Sequence, residues 1–195
     1  MGLLYVLSNC KRDNSTPTAF SKTSYPLALG NWWQYQSTAI GFDPDTFVLR
    51  VDSIVTDGPN MKYICNYVSK GAIISAGYFL QSDTSMSFIQ PYGYFTSFPN
   101  FHLKFPASTG QYWAGSFPGD SIIVNGVASS HTAYGHTYGP CYYLGEAYNL
   151  PHNSKVESMI LTPKIGLIYQ SINFNSDTAG IQIKQQVNLI DYHIQ

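Results

Sequence analysis

The chain has 195 residues, 11% of them charged, and a formal net charge of −1 with no basic cluster, so it carries no electrostatic footprint for nucleic acid. That charge content lies well below the roughly 25% of an average soluble domain. With 15% aromatic residues and 16 tyrosines, the balance suits an extracytoplasmic β protein better than a cytosolic enzyme. The length fits one domain with a proper core, and nothing approaches the roughly 18 apolar residues of a membrane-spanning helix.

The N-terminal run Leu3-Leu4-Tyr5-Val6-Leu7, followed by Ser8-Asn9-Cys10, reads as the end of a bacterial lipoprotein signal, with Cys10 as the lipid-attachment residue. The alternative is a frayed strand carrying a free cysteine. Residues 11–24 are polar, contain Pro17 and show no periodicity, which reads as a flexible tether. With Cys10 set aside, Cys65 and Cys141 remain, both in expected strands. In an oxidising compartment they could form one disulfide; otherwise they are two buried thiols.

The domain proper opens at Tyr25-Pro26-Leu27-Ala28-Leu29-Gly30-Asn31-Trp32-Trp33-Gln34-Tyr35, and a weaker copy follows at Phe105-Pro106-Ala107-Ser108-Thr109-Gly110-Gln111-Tyr112-Trp113. Proline presets φ, glycine permits a left-handed turn, and the aromatic pair then enters a strand. The two copies divide residues 25–195 into two related halves, 25–104 and 105–195.

After the first opening, Trp32 to Ile40 forms a strand. Thr46 to Thr56 alternates, with Phe47, Leu49, Val51 and Val55 on one face. Asp57-Gly58-Pro59-Asn60 turns the chain into Met61 to Lys70, and Gly71 leads to Ala72 through Gln81, a meander with short connections. Met86 to Phe98 is broken by Pro91 and Gly93 and reads as an edge strand plus loop.

In the second half, Ser121 to Val124 meets Asn125-Gly126, a type I′ hairpin signal. Cys141 to Tyr148 and Val156 to Leu161 flank a turn at Pro151-His152-Asn153. Thr162 to Tyr169 opens a strand running to about Phe174, and Ile181 to Ile194 closes the chain. No segment carries a helical period. The expectation is an all-β antiparallel fold of about ten to twelve strands, a strongly curved sheet or half-barrel, or alternatively a two-sheet β-sandwich.

Several pieces together resemble a family. Cys10 followed by Lys11-Arg12-Asp13, a polar tether, and Tyr25-Pro26-Leu27 with Gly30-Asn31, Trp33 and Tyr35 are similar to lipoproteins found in Bacteroidetes-type bacteria. Thr162-Pro163-Lys164-Ile165-Gly166-Leu167-Ile168 resembles the segment such proteins carry before their last two strands, and Val187 to Tyr192 resembles their ending. The resemblance implies a secreted, lipid-anchored β-fold in the cell envelope, of a family without assigned activity.

Candidate sites are few. His131 and His136 lie five apart, on opposite faces of a strand, with no Cys or carboxylate at ligand spacing, so no metal or other cofactor is expected. There is no Gly-x-Ser-x-Gly elbow and no phosphate-cradling glycine motif. Asp43-Pro44-Asp45 and Asp57-Gly58 read as turns rather than a calcium loop. With only two glutamates, Glu146 and Glu157, a non-enzymatic role is expected. Trp33 and Tyr35 share one strand face, and Trp113 is the equivalent of Trp33 in the second copy. They are core, or they contact an apolar ligand or a glycan. The expectation is a lipid-anchored lipoprotein, periplasm-facing or surface-exposed, whose membrane contact is the anchor. Its β domain would bind a ligand or protein partner, carry a lipid, or act as a carbohydrate-binding module.

Overall fold

A computed structural model describes residues 19–89, 101–114, 121–150 and 153–195. The strands are β1 (Trp32–Ala39), β2 (Asp45–Asp57), β3 (Asn60–Ser69), β4 (Ala72–Gln81), β5 (Ser85–Ile89), β6 (Phe101–Lys104), β7 (Tyr112–Ala114), β8 (Ser121–Ala128), β9 (His131–Ala133), β10 (His136–Tyr138), β11 (Cys141–Leu150), β12 (Asn153–Thr162), β13 (Gly166–Ser176) and β14 (Ile181–His193). The only helical turn among the described residues is a short 3-10 turn at Lys22–Ser24.

Twelve strands form one antiparallel sheet in the order β6-β5-β4-β3-β2-β1-β14-β13-β12-β11-β8-β7. It is a nearly closed, barrel-like sheet, as the curved-sheet expectation had it, and not a sandwich. Antiparallel pairing of β1 with β14 joins the two runs of the sheet. At the other junction, Trp113 on β7 donates its indole N–H to the His102 carbonyl on β6 at 3.1 Å. The small β9–β10 hairpin stands apart and folds back over the outer face. There Tyr134 donates its hydroxyl to Gln36 on β1, and His131 Nδ1 lies 3.2 Å from the Tyr143 hydroxyl.

The two opening motifs adopt one local structure. Gly30 and Gly110 both have φ of 83°, which only glycine takes without cost. In each copy the glycine N–H reaches the next strand, to Val51 O and Val124 O respectively. The following residue closes the turn, Asn31 on Ala28 O and Gln111 on Ser108 O. Both tryptophan indoles then bond a backbone carbonyl, Trp33 at Ile165 and Trp113 at His102.

Two expectations change. Phe20, placed in the tether by its polar surroundings, is 1% exposed, stacks on Phe105 and meets Tyr142 edge-on. Its backbone exchanges both hydrogen bonds with Ala107. Residues 20–31 therefore strap one end of the barrel, and Tyr25 packs between Trp33 and Phe79. The second change is at Asn125-Gly126, which is not a hairpin turn. β8 runs through it, and the register shift between Tyr143 and Leu144 leaves Asn125 as the extra residue of a bulge.

Candidate functional site

The sequence-predicted residues fall into separate places. Cys10 lies outside the described residues. Trp33 and Tyr35 are fully buried, and Trp113 is 5% exposed. Trp33 donates to Ile165 O at 2.6 Å and Tyr35 to Leu167 O at 3.1 Å, so both polar handles are satisfied by backbone. Burial pushes the Tyr35 hydroxyl well above the ordinary tyrosine range, as it does for Tyr67. Tyr35, Phe47 and Tyr67 stack in series at 5.5 and 4.7 Å. Of the two roles open to these aromatics, the geometry is that of core.

Cys65 and Cys141 are both free and buried, on β3 and β11, and no disulfide joins them. β3 and β11 belong to different runs of the sheet, so the even count that allowed a disulfide does not bring the thiols together. Burial raises both thiol pKa values, which keeps them protonated and inert. His131 and His136 sit on opposite arms of the β9–β10 hairpin, and no cluster of metal-ligating side chains occurs among the described residues.

What sequence reasoning missed lies on β11 and β12. These strands pair symmetrically about their turn, so the chain's two glutamates, Glu146 and Glu157, come directly opposite one another. Alternation sends both inward with Leu144 and Met159, and both side chains are fully buried. Lys155 brings its ammonium between them, 2.6 Å from Glu157 Oε2 and 3.4 Å from Glu146 Oε2. Gln170 on β13, also buried, donates its amide to Glu157 Oε1. Ser37, Ser69 and Ser176 line the same half of the interior. The barrel is thus aromatic beneath the strap and polar toward the opposite end. A signal was available in the sequence: two lone glutamates, five residues before Pro151 and five after His152, predict this pairing.

Behind this cluster, on the outer face of the same strands, lies an open hollow of about 570 Å³. Its central row crosses four strands, Tyr112 opposite Ile123, Ile123 opposite Gly145, and Gly145 opposite Ser158. Gly145 makes the floor. Its φ is not in the left-handed region, so backbone conformation does not demand glycine. A Cβ there would meet the Asn125 side-chain amide at 2.8 Å, the end of a flexible side chain that lies over the glycine and can move aside. Ser121, Ala147 and Ser158 keep the surrounding floor low. Tyr112, 79% exposed, Ile123 at 41% and Val156 at 57% form the rim. The β9–β10 hairpin covers the adjacent strip at Tyr143 and Gln36, and the hollow lies one row beyond it.

No protein-family model matches the chain, and no curated protein matches it. Solved structures are similar to it. The crystal structure of a "putative exported protein with YmcC-like fold" from Bacteroides fragilis aligns with a TM-score of 0.50 at 12% identity, over 90% of this chain and all of the other (100%). A "putative lipoprotein" from Parabacteroides distasonis aligns with a TM-score of 0.40 at 10% identity, over 90% of this chain and 100% of the other. At the first of these values the likeness is one of fold.

Proposed function

We propose that this protein is a non-enzymatic, extracytoplasmic lipoprotein, anchored through Cys10, whose β domain binds a ligand or partner in the outer hollow. The observation that carries the binding reading is the hollow itself. It is a shallow, open concavity of about 570 Å³, with Gly145 beneath the Asn125 side chain at its floor and exposed apolar side chains at its rim. The anchor reading rests on the Leu3-to-Cys10 sequence and is in keeping with a fold found in a protein named as exported.

Residues 11–19, fully extended, reach about 30 Å, enough to let an anchored β domain stand clear of the bilayer. The hollow sits toward the strand ends near Ser121 and Asn153, opposite the end where Phe20 bridges Ala107. The carrier reading, in which Trp33, Tyr35 and Trp113 hold an apolar ligand, is disfavoured by their packing and backbone hydrogen bonds.

Two measurements on the full chain expressed in a Gram-negative host test the proposal. In detergent phase partition the protein enters the detergent phase and Cys10→Ser moves it to the aqueous phase. Wild-type protein in the aqueous phase would overturn the anchor. Native mass spectrometry of detergent-released protein reads the site: an adduct lost in Gly145→Val supports the hollow, and an adduct that persists in this variant overturns it.

A further inference from the structure

We infer that the hollow is a binding site for an uncharged saccharide. The inference rests on the hollow being the binding site and goes beyond it by naming the ligand's chemistry. Three features of the lining point the same way. The Tyr112 ring is presented almost wholly to solvent at the rim, where an aromatic face can stack on the C–H face of a pyranose. The polar groups around the floor are the Asn125 amide and the Ser121 and Ser158 hydroxyls, and none is hydrogen-bonded to another described residue. Amides and hydroxyls both donate and accept, which is what a ring of alternating hydroxyl donors and acceptors requires.

The third feature is charge. Of the residues lining the hollow only Glu146 and Glu157 are ionisable near neutrality, and both turn their side chains fully into the barrel. Among the described residues the surface offered is therefore neutral, with no cation for an anionic ligand and no carboxylate for a cationic one. A purely apolar ligand would cover the amide and hydroxyls without offering them a partner, at a cost. The hollow is open to solvent, which suits a saccharide lying along the row from Tyr112 to Ser158.

The test uses fluorescently labelled full-length protein on a printed panel of neutral oligosaccharides, namely α- and β-linked glucans, mannans, xylans and galactans. Sialylated and sulfated glycans serve as charged controls. Binding is expected on neutral glycans only, with Tyr112→Ala weakening it about tenfold. Gly145→Val, which fills the floor, is expected to abolish it, while Tyr192→Ala, an exposed aromatic on β14, leaves it unchanged. Tyr112→Ala decides the matter should Gly145→Val fail to fold, because the Tyr112 ring is exposed and contributes little packing. Binding to charged glycans alone, no binding to the neutral panel, or neutral binding insensitive to Tyr112→Ala overturns the inference. A panel-negative protein that still yields an adduct sensitive to Gly145→Val retains the proposed site and overturns only the saccharide. Partition through Cys10 is untouched by any of these outcomes.

Discussion

Replacing Lys155 with Met is the most informative perturbation of the interior. Lys155 lies 2.6 Å from Glu157 and 3.4 Å from Glu146, and both carboxylate side chains are fully buried. Met matches the volume and leaves the packing nearly intact, but it removes the cation that compensates two carboxylates in a low-dielectric interior. Breaking a buried ion pair by removing one partner costs about 3–5 kcal/mol. For a domain of this size each kcal/mol lowers Tm by about 2–4 °C, so Lys155→Met is expected to melt about 10 °C lower by circular dichroism. The triple variant Lys155→Met, Glu146→Leu, Glu157→Leu removes all the charge together and is expected to recover most of the loss, because a well-packed apolar replacement of a buried ionic group is often neutral or stabilising. A fall of less than about 2 °C in the single variant, or no recovery in the triple, would refute the view that compensation of buried charge dominates this end of the barrel.

Three further outcomes follow from the structure. Cys65 and Cys141, held protonated by burial, should resist iodoacetamide at pH 8 in the folded protein and react fully in denaturant; rapid labelling of either, or an intact mass two daltons below the reduced value, contradicts it. Gly166 has φ of 102° and a Cβ there would meet Tyr25 Cζ at 2.7 Å, whereas Gly41 has φ of 83° with open space around it. Gly166→Ala should therefore cost more in urea denaturation than Gly41→Ala, whose expected loss is about 1 kcal/mol of backbone strain. Phe20→Ala should destabilise by about 3 kcal/mol, as for a large core side chain, and a change under about 0.5 kcal/mol would return residue 20 to the tether.

Much of the sheet could be read in the sequence because one face of each strand is apolar. The meander from Trp32 to Gln81 was legible to within a residue or two, since Phe47, Leu49 and Val51 alternate inward and strong turns separate the strands. Val55 was placed with them and is instead exposed. A bulge between Val51 and Ser53 adds a residue and flips the alternation, an effect that depends on the partner strand and leaves no local mark. Asn125-Gly126 failed for the same reason: the dipeptide suits a tight turn or a bulge, and pairing with β11 decides which. Phe20 was hidden in a polar stretch because its partners, Phe105 and Tyr142, are more than eighty residues away in sequence. The hollow was the least legible feature. A glycine in a strand announces a gap, but only the register shows that Ile123, Ser158 and Tyr112 surround it.

The inner cluster and the outer hollow explain each other. Side chains alternate along a strand, so a slip of β12 by one residue against β11 would expose Glu157 and Lys155 in the hollow and bury Ser158 and Val156 inside. Such a slip would also turn Met159 and Leu161 out of the core, although Ser, Ala, Gly and Val fit either face of a sheet. It would separate Glu157 and Lys155 from Glu146 and from the Gln170 amide, leaving Glu146 buried without its cation. In a chain that is only 11% charged, placing both glutamates in the interior makes one register much more stable than its neighbours. That register fixes Gly145 opposite Ile123 and Ser158, and so fixes the shape of the hollow. The buried charges hold the geometry of a surface that presents none among its described residues.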